Sequence, residues 1–314
     1  MREISVFSGS AHHGLAEEIC GHLGVPLQPS VVRRFATDCL EVQLQSNCRE
    51  RDVFLIQPLS APVQEHLVEF LLMLDAARGA SAARVTAVIP YYAYARSDKK
   101  TMPRVSIGGR LVADLLVASG ASRVLTMTLH SPQVHGFFSV PVDHLHALRE
   151  IADHFRAQDL TNAVVVSPDF GNVKQAANLA RRLGLPVAAG AKERVNDEKV
   201  TITSIIGDVA GRNVIVLDDE IARGTTIIEI LDKLAEQGAR SVRIASTHGL
   251  FCDGALKRIA AQPQVEEIVC TNTVPIPETE LHDKLHVISV APALAEAIRR
   301  IHEGESVSSL FDHH

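Results

Sequence analysis

The sequence predicts an α/β fold of two domains with mainly parallel sheets. Short β-branched runs alternate with longer stretches of helical period, the pattern of strand–helix–strand units. Val214-Ile215-Val216-Leu217 does not alternate apolar with polar, as expected of a strand covered on both faces. Gly120-Ala121-x-x-Val124 followed by His130 is echoed, at equal offsets, by Gly238-Ala239-x-x-Val242 followed by His248. With 314 residues, that echo favours two similar halves meeting near Val140–Arg149.

Taken in order, the strand candidates are Ile4–Phe7, Val53–Gln57, Arg84–Ile89, Arg123–Thr128, Ala163–Ser167, Val214–Leu217, Val242–Ser246 and Ile268–Thr271. Each is a short run rich in Val and Ile. The helix candidates between them are Leu15–Leu23, Val63–Arg78, Ile107–Ser119, Val173–Leu183, Thr226–Gln237 and Gly254–Ala260. Their apolar residues recur at three and four, as in Leu67, Phe70, Leu71 and Leu74. Gly120 and Gly238 each stop a helix before a strand.

Composition narrows the function. The net charge of −6 argues against holding nucleic acid by bulk charge, because such footprints are basic. Hydrophobic residues at 46% and charged residues at 22% suit an ordinary soluble globular protein. The stretch Val124–Val142 lacks Asp, Glu, Lys and Arg, but it holds His130, Gln133, Pro132 and Pro141 and so does not read as a membrane span. The first residues lack the apolar core of a secretory signal. Cys20, Cys39, Cys48, Cys252 and Cys270 are scattered without a Cys-x-x-Cys pair, which fits a reduced, cytoplasmic chain.

The strongest local signal is Asn213 to Ile228. An apolar strand ends in Asp218-Asp219-Glu220, turns through Ala222-Arg223-Gly224, and enters a helix capped by Thr225 or Thr226. Ligands in open α/β sheets sit beyond the carboxyl ends of strands. Backbone N–H groups at a helix start attract anions, and carboxylates beside them accept sugar hydroxyls or hold a hydrated metal ion. Together these features point to a phosphorylated sugar. Spacing alone fits equally a capped helix after an acidic turn.

This segment resembles the phosphoribosyl-binding motif of the type I phosphoribosyltransferase fold, in the form used by ribose-phosphate diphosphokinases. The resemblance extends along nearly the whole chain: Phe7-Ser8-Gly9, Arg34-Phe35, Asp52–Gln57, Ala61-Pro62, Ile89–Lys100, His130-x-x-Gln133-x-x-Gly136-Phe137-Phe138, Ser167-Pro168-Asp169-x-Gly171, and Ala295–Ile298 through Ser306–Ser308. It implies two similar type I phosphoribosyltransferase-like domains, 1–145 with the ATP-side loops and 146–314 with the ribose 5-phosphate site. The final helix and tail are candidates to pack on the first. It implies transfer of the diphosphoryl group of ATP to the anomeric hydroxyl of ribose 5-phosphate, with Mg²⁺ required and AMP released.

Residue by residue, the resemblance implies that Asp218 and Asp219 face the ribose hydroxyls and that Ala222, Arg223, Gly224, Thr225 and Thr226 wrap the 5-phosphate. The family commonly has Asp-Thr-Gly-Gly-Thr there, so one Gly is lost and Arg223 is gained, to bind phosphate or to face solvent. Lys192 and Arg194 align with the family's catalytic loop, with Glu193 replacing a base; Arg194 is also a ribose 5-phosphate candidate. His130 and Asp169 match the metal positions, and Thr128 stands where an Asp is common. Phe35, Thr37, Asp38, Cys39, Arg96, Ser97, Lys100 and His130 match the ATP side. There Thr37 replaces an Asp or Asn, Cys39 a Glu and Ser97 a frequent Gln. Without the resemblance, Phe35 reads as core, His130 as a structural histidine and Lys192-Glu193-Arg194 as a solvated turn.

The resemblance also implies a homo-hexamer built from dimers, with the ATP site shared between subunits. It implies a phosphate and ADP regulatory site at Arg49, Ser81, Arg104, Ser306 and Ser308, where Asn47 departs from a usual Ser. ATP and ribose 5-phosphate are the expected partners, with neither nucleic acid nor membrane. His12-His13, His144-x-His146, His282-x-x-x-His286 and His313-His314 lack the context of a zinc motif and read as solvated loop histidines. Two competing functions are a non-catalytic regulatory homologue, suggested by Thr128, Glu193, Ala222 and Arg223, and a phosphoribosyltransferase, which the ATP-type segment Tyr91–Lys100 disfavours.

Overall fold

The computed structural model describes residues 3–194 and 200–310, with the side chains at 192–194, 200 and 201 outside the description. In chain order the first elements are β1 (Ile4–Ser8), α1 (His13–Leu23), β2 (Leu27–Gln28), β3 (Ser30–Arg34), β4 (Leu40–Leu44), β5 (Asp52–Ile56), α2 (Val63–Gly79), β6 (Arg84–Ile89), α3 (Gly108–Ser119), β7 (Arg123–Met127) and β8 (Val142–Leu145). Then come α4 (Leu148–Arg156), β9 (Ala163–Ser167), α5 (Val173–Leu183), β10 (Val187–Arg194), β11 (Val200–Ile206), β12 (Asn213–Ile221) and α6 (Thr225–Glu236). The last are β13 (Ser241–Gly249), α7 (Ala255–Ala260), β14 (Val265–Thr271), β15 (Leu285–Ile288) and α8 (Ala291–Glu303).

The chain forms two compact units. The first runs to His146 and regains Thr273–Pro275 and the stretch from Val290; the second holds Ala147–Asn272 and Ile276–Ser289. In the first unit a sheet of order β2-β1-β5-β6-β7-β8 is parallel throughout, and β3 and β4 form a separate antiparallel pair. Phe7, Val53, Leu55, Val85, Ile89 and Val124 from its strands pack with Phe70, Leu74, Val112 and Leu116 from α2 and α3. On the other side α8 lies against α1, burying Leu294, Ile298 and Ile301 near Leu15 and Ile19.

The second unit has the order β11-β10-β9-β12-β13-β14-β15, parallel except for the β10–β11 pair. Val164, Val166, Val214, Val216, Val242 and Ile244 meet Ile227, Ile230, Leu231 and Leu234 of α6. Central strands are buried on both faces, so their sequences do not alternate.

Three sequence expectations are corrected here. The strand predicted over Val214–Leu217 continues to Ile221, because β13 pairs with it as far as Ile221↔Gly249. Lys192-Glu193-Arg194 is not a turn: its backbone forms the end of β10, in register with Ile202, Thr201 and Val200 of β11. Phe35 is no core residue, with 51% of its surface exposed.

Candidate active site

In the second unit, β12 outruns its neighbour β9. The ladder between them stops at Val216↔Val166, and Asn172 Nδ2 then donates to Leu217 O at 3.0 Å in place of a strand. Asp218 and Asp219 therefore emerge, half-buried, at the carboxyl end of the sheet, with Glu220 buried behind them. Asp169 lies in the turn after β9. Its carbonyl accepts from Ser167 Oγ at 2.6 Å, and its Oδ1 accepts from the Asn172 N–H at 3.2 Å. Burial pushes the Asp218 carboxyl well above the ordinary range, and the neighbouring carboxylates of Asp219 and then Asp169 push it further.

The loop that follows is built on one glycine. Gly224 has φ +71 and occupies the N-cap of α6, and no side chain caps that helix. The expected cap by Thr225 or Thr226 is thus corrected: Thr225 is exposed, Thr226 half-buried, and the first helical bond is Ile228 N–H to Gly224 O at 2.9 Å. A helix start without a side-chain cap keeps its N–H groups available to an anion. The exposed Arg223 pairs through Nε with Asp253 Oδ2 at 3.1 Å. Arg258 of α7 donates from Nη2 to Arg223 O at 2.8 Å and from Nη1 to Asp253 O. A Cβ at Gly224 would lie 2.9 Å from Ile259 Cδ1, so α7 packs directly against the loop. Sequence reading missed Asp253 and Arg258. Their contacts with Arg223 reach 30 and 35 residues along the chain, and that of Arg258 goes to a backbone carbonyl, which carries no residue signature.

In the first unit, β3 and β4 present the loop Phe35–Cys39. It is closed by Phe35 N–H to Cys39 O at 2.8 Å and Asp38 N–H to Phe35 O at 2.9 Å, with Asp38 at φ +68. Arg34 pairs with Asp38 at 2.6 Å and with Glu65 of α2, tying the hairpin down. Phe35, Thr37, Asp38 and Cys39 are exposed. After β6, Arg96 and Lys100 are exposed, while Ser97 Oγ accepts the Gly108 N–H at 2.8 Å and Ser97 O accepts the Gly109 N–H at 2.9 Å, anchoring that turn to the start of α3. Past β7, Thr128 is buried at φ +42 and His130 is exposed.

Two of the predicted loop histidines, His12 and His144, are half-buried with fixed partners, which corrects their reading as solvated, whereas His286 is exposed as expected. His12 Nδ1 accepts the Leu15 N–H at 3.3 Å at the start of α1, and His144 Nε2 accepts the Leu129 N–H at 2.8 Å. His286 Nε2 lies 3.6 Å from Glu267 Oε1. His313 and His314 lie outside the described residues, as do the side chains of Lys192 and Arg194. Of the regulatory candidates, Ser306 and Ser308 share a turn, with Oγ–Oγ 3.0 Å and Arg300 Nη1 donating to Ser306 O at 2.9 Å. Arg49 and Ser81 flank a second corner, where the Glu50 N–H donates to Ser81 O at 2.9 Å; Arg104 is exposed at φ +67.

Comparison with known proteins matches residues 4–120 to the N-terminal domain of ribose phosphate pyrophosphokinase and residues 192–312 to the phosphoribosyl synthetase-associated domain. A putative ribose-phosphate pyrophosphokinase of Streptomyces coelicolor is 71% identical, covering 99% of this chain and 98% of the relative. A ribose-phosphate pyrophosphokinase of Deinococcus radiodurans is 50% identical, covering 98% and 97%. Among solved structures, phosphoribosylpyrophosphate synthetase from Mycobacterium smegmatis is similar at TM-score 0.91 and 39% identity, covering 96% of this chain and 100% of that one.

Proposed function

The chain belongs to the ribose-phosphate pyrophosphokinase family, and from that membership we propose how its residues carry the reaction. It is a ribose-phosphate diphosphokinase, joining the diphosphoryl group of ATP to the anomeric hydroxyl of ribose 5-phosphate. The anomeric hydroxyl gives up its proton to solvent as its oxygen attacks the β-phosphorus, the bond from that phosphorus to the oxygen of AMP breaks, and AMP leaves with the electron pair. Such chemistry is mostly positioning and charge neutralisation. The observation that carries the assignment of roles is the acid-ended β12 delivering straight into an uncapped helix start.

Asp218 and Asp219 are assigned the ribose hydroxyls, and Ala222–Thr226 the 5-phosphate, which the N–H groups at the start of α6 and the hydroxyls of Thr225 and Thr226 would hold. Lys192 and Arg194 are assigned the charge developing on the transferred group. Phe35, Thr37, Asp38 and Cys39 are assigned to adenine, and Arg96, Ser97, Lys100 and His130 to the rest of ATP.

Mg²⁺ suits the donor chemistry of the second unit. Asp169, Asp218 and Asp219 are hard oxygen donors, and the crowding that raises the Asp218 carboxyl is the kind a dication relieves. Asp169 is the proposed ligand there, and His130 the proposed ligand in the first unit. Bound Mg²⁺ would neutralise phosphate charge. Among the described residues no helix is long and apolar enough to cross a membrane, and a cytoplasmic homo-hexamer is proposed, with the exposed Phe35 supporting a loop that serves a neighbouring subunit.

The test is incubation of purified protein with ATP, ribose 5-phosphate and Mg²⁺, following AMP and phosphoribosyl diphosphate by phosphorus NMR. Stoichiometric formation of both is expected. No AMP at high enzyme concentration would reject the reading.

A further inference from the structure

Loops that aim backbone N–H groups at a phosphate usually rely on glycine, whose missing side chain lets the backbone turn and approach. Here Thr225 stands in the place of the lost glycine, and of Ala222–Thr226 only Gly224 is left to turn the chain. Something other than glycine must set the loop.

The segment Cys252–Ala260 supplies it. Arg258 spans two carbonyls with one guanidinium, Nη2 to Arg223 O at 2.8 Å and Nη1 to Asp253 O. Asp253 in turn holds Arg223 through Nε at 3.1 Å, so the two strands of contact cross. One residue on, Ile259 closes the underside of Gly224. A trans peptide is planar, with its C=O and N–H pointing opposite ways. Drawing the Arg223 carbonyl toward Arg258 therefore turns the Gly224 N–H away from that guanidinium.

We propose that Arg258 is a positioning residue for ribose 5-phosphate, its guanidinium fork fixing the 223–224 peptide so that the loop meets the 5-phosphate already formed. The inference rests on the assignment of Ala222–Thr226 to that phosphate. Arg258 touches no substrate. It acts by sparing the loop an ordering cost on binding.

The experiment measures KM for each substrate, kcat, ribose 5-phosphate affinity by calorimetry and the thermal midpoint in wild type, Arg258→Met, Arg258→Lys and Thr226→Ala. Arg258→Met keeps the aliphatic stem and removes the fork. It should raise KM and Kd for ribose 5-phosphate by about tenfold, the scale of one charge-assisted hydrogen bond. KM for ATP and kcat should stay within about twofold. Arg258→Lys, with a single point donor, should fall between, and it carries the same expectation if Arg258→Met does not fold. Unchanged ribose 5-phosphate affinity in both variants overturns the proposal. So does a parallel loss in both KM values, kcat and thermal midpoint, which marks Arg258 as a general fold contact. Thr226→Ala separates the two layers. If it weakens ribose 5-phosphate while the Arg258 variants do not, only the role of Arg258 fails. If it leaves that affinity untouched, the assignment of the loop to phosphate fails with it.

Discussion

At Gly224 two constraints coincide. Its φ of +71 favours glycine, and the space where a Cβ would go is filled by Ile259. Gly224→Ala is expected to cost about 2 kcal/mol in denaturant unfolding, since a left-handed L-residue alone costs about 1–2 kcal/mol. It should also weaken ribose 5-phosphate binding, because the left-handed turn that presents the start of α6 is strained by a side chain. The thiols give a second residue-level expectation. Burial pushes the Cys270 thiol up to about 12 and, with help from Glu17, that of Cys20 to about 11; burial raises Cys48 as well. Those three stay protonated and enclosed at pH 8, so an aromatic disulfide reagent should modify the exposed Cys39 and Cys252 quickly and the others only on unfolding. Rapid reaction of three or more thiols in the native protein would contradict this. Candidate site residues were legible where they stand together in the sequence, as in Asp218-Asp219 ahead of Ala222–Thr226. They were illegible where a side chain meets a distant carbonyl, as Arg258 does.

Among the elements, the buried central strands were readable because Val and Ile runs flanked by helical periods leave few alternatives. The edges were not. The strand β2 spans only Leu27–Gln28, β3 and β4 form a half-exposed pair, and β15 carries exposed residues, so none shows a buried run. Nor was α8 read from its period, although its inner face buries Leu294, Ile298 and Ile301. That helix is also tied by charge. Asp52 is fully buried on β5, accepting from Arg84 Nε at 3.1 Å and lying 2.9 Å from His302 Nδ1 of α8. Asp52 is buried while the Arg84 side chain keeps 39% exposure, so the loss is that of a hydrogen bond to a charged group rather than of a buried ion pair. Arg84→Met should therefore lower unfolding stability by about 2 kcal/mol, read by urea titration. A change below about 0.5 kcal/mol, the ordinary surface value, would show that His302 alone satisfies Asp52.

For the whole molecule, the two-unit organisation was foreshadowed by the Gly-Ala echo, whose members stand at the ends of α3 and α6 in different units. The catalytic scheme makes its demand at this scale too. Chelating divalent cations with excess EDTA should abolish AMP formation, and added Mg²⁺ should restore it; activity that survives exhaustive chelation would remove the metal from the scheme. Light scattering should give a mass near six chains, and a fully active single chain would remove the shared adenine site. The chain's return to the first unit from Val290 was expected from the family resemblance and not from the residues themselves, because nothing local in α8 names α1 as its neighbour. That return orders events at the ribosome. The first unit emerges early but cannot shield the apolar side of α1 until the last helix has been synthesised. A released chain truncated before Val290 should therefore be held by chaperones and cut readily within its N-terminal half, while the intervening unit, whose segments are all present, resists protease.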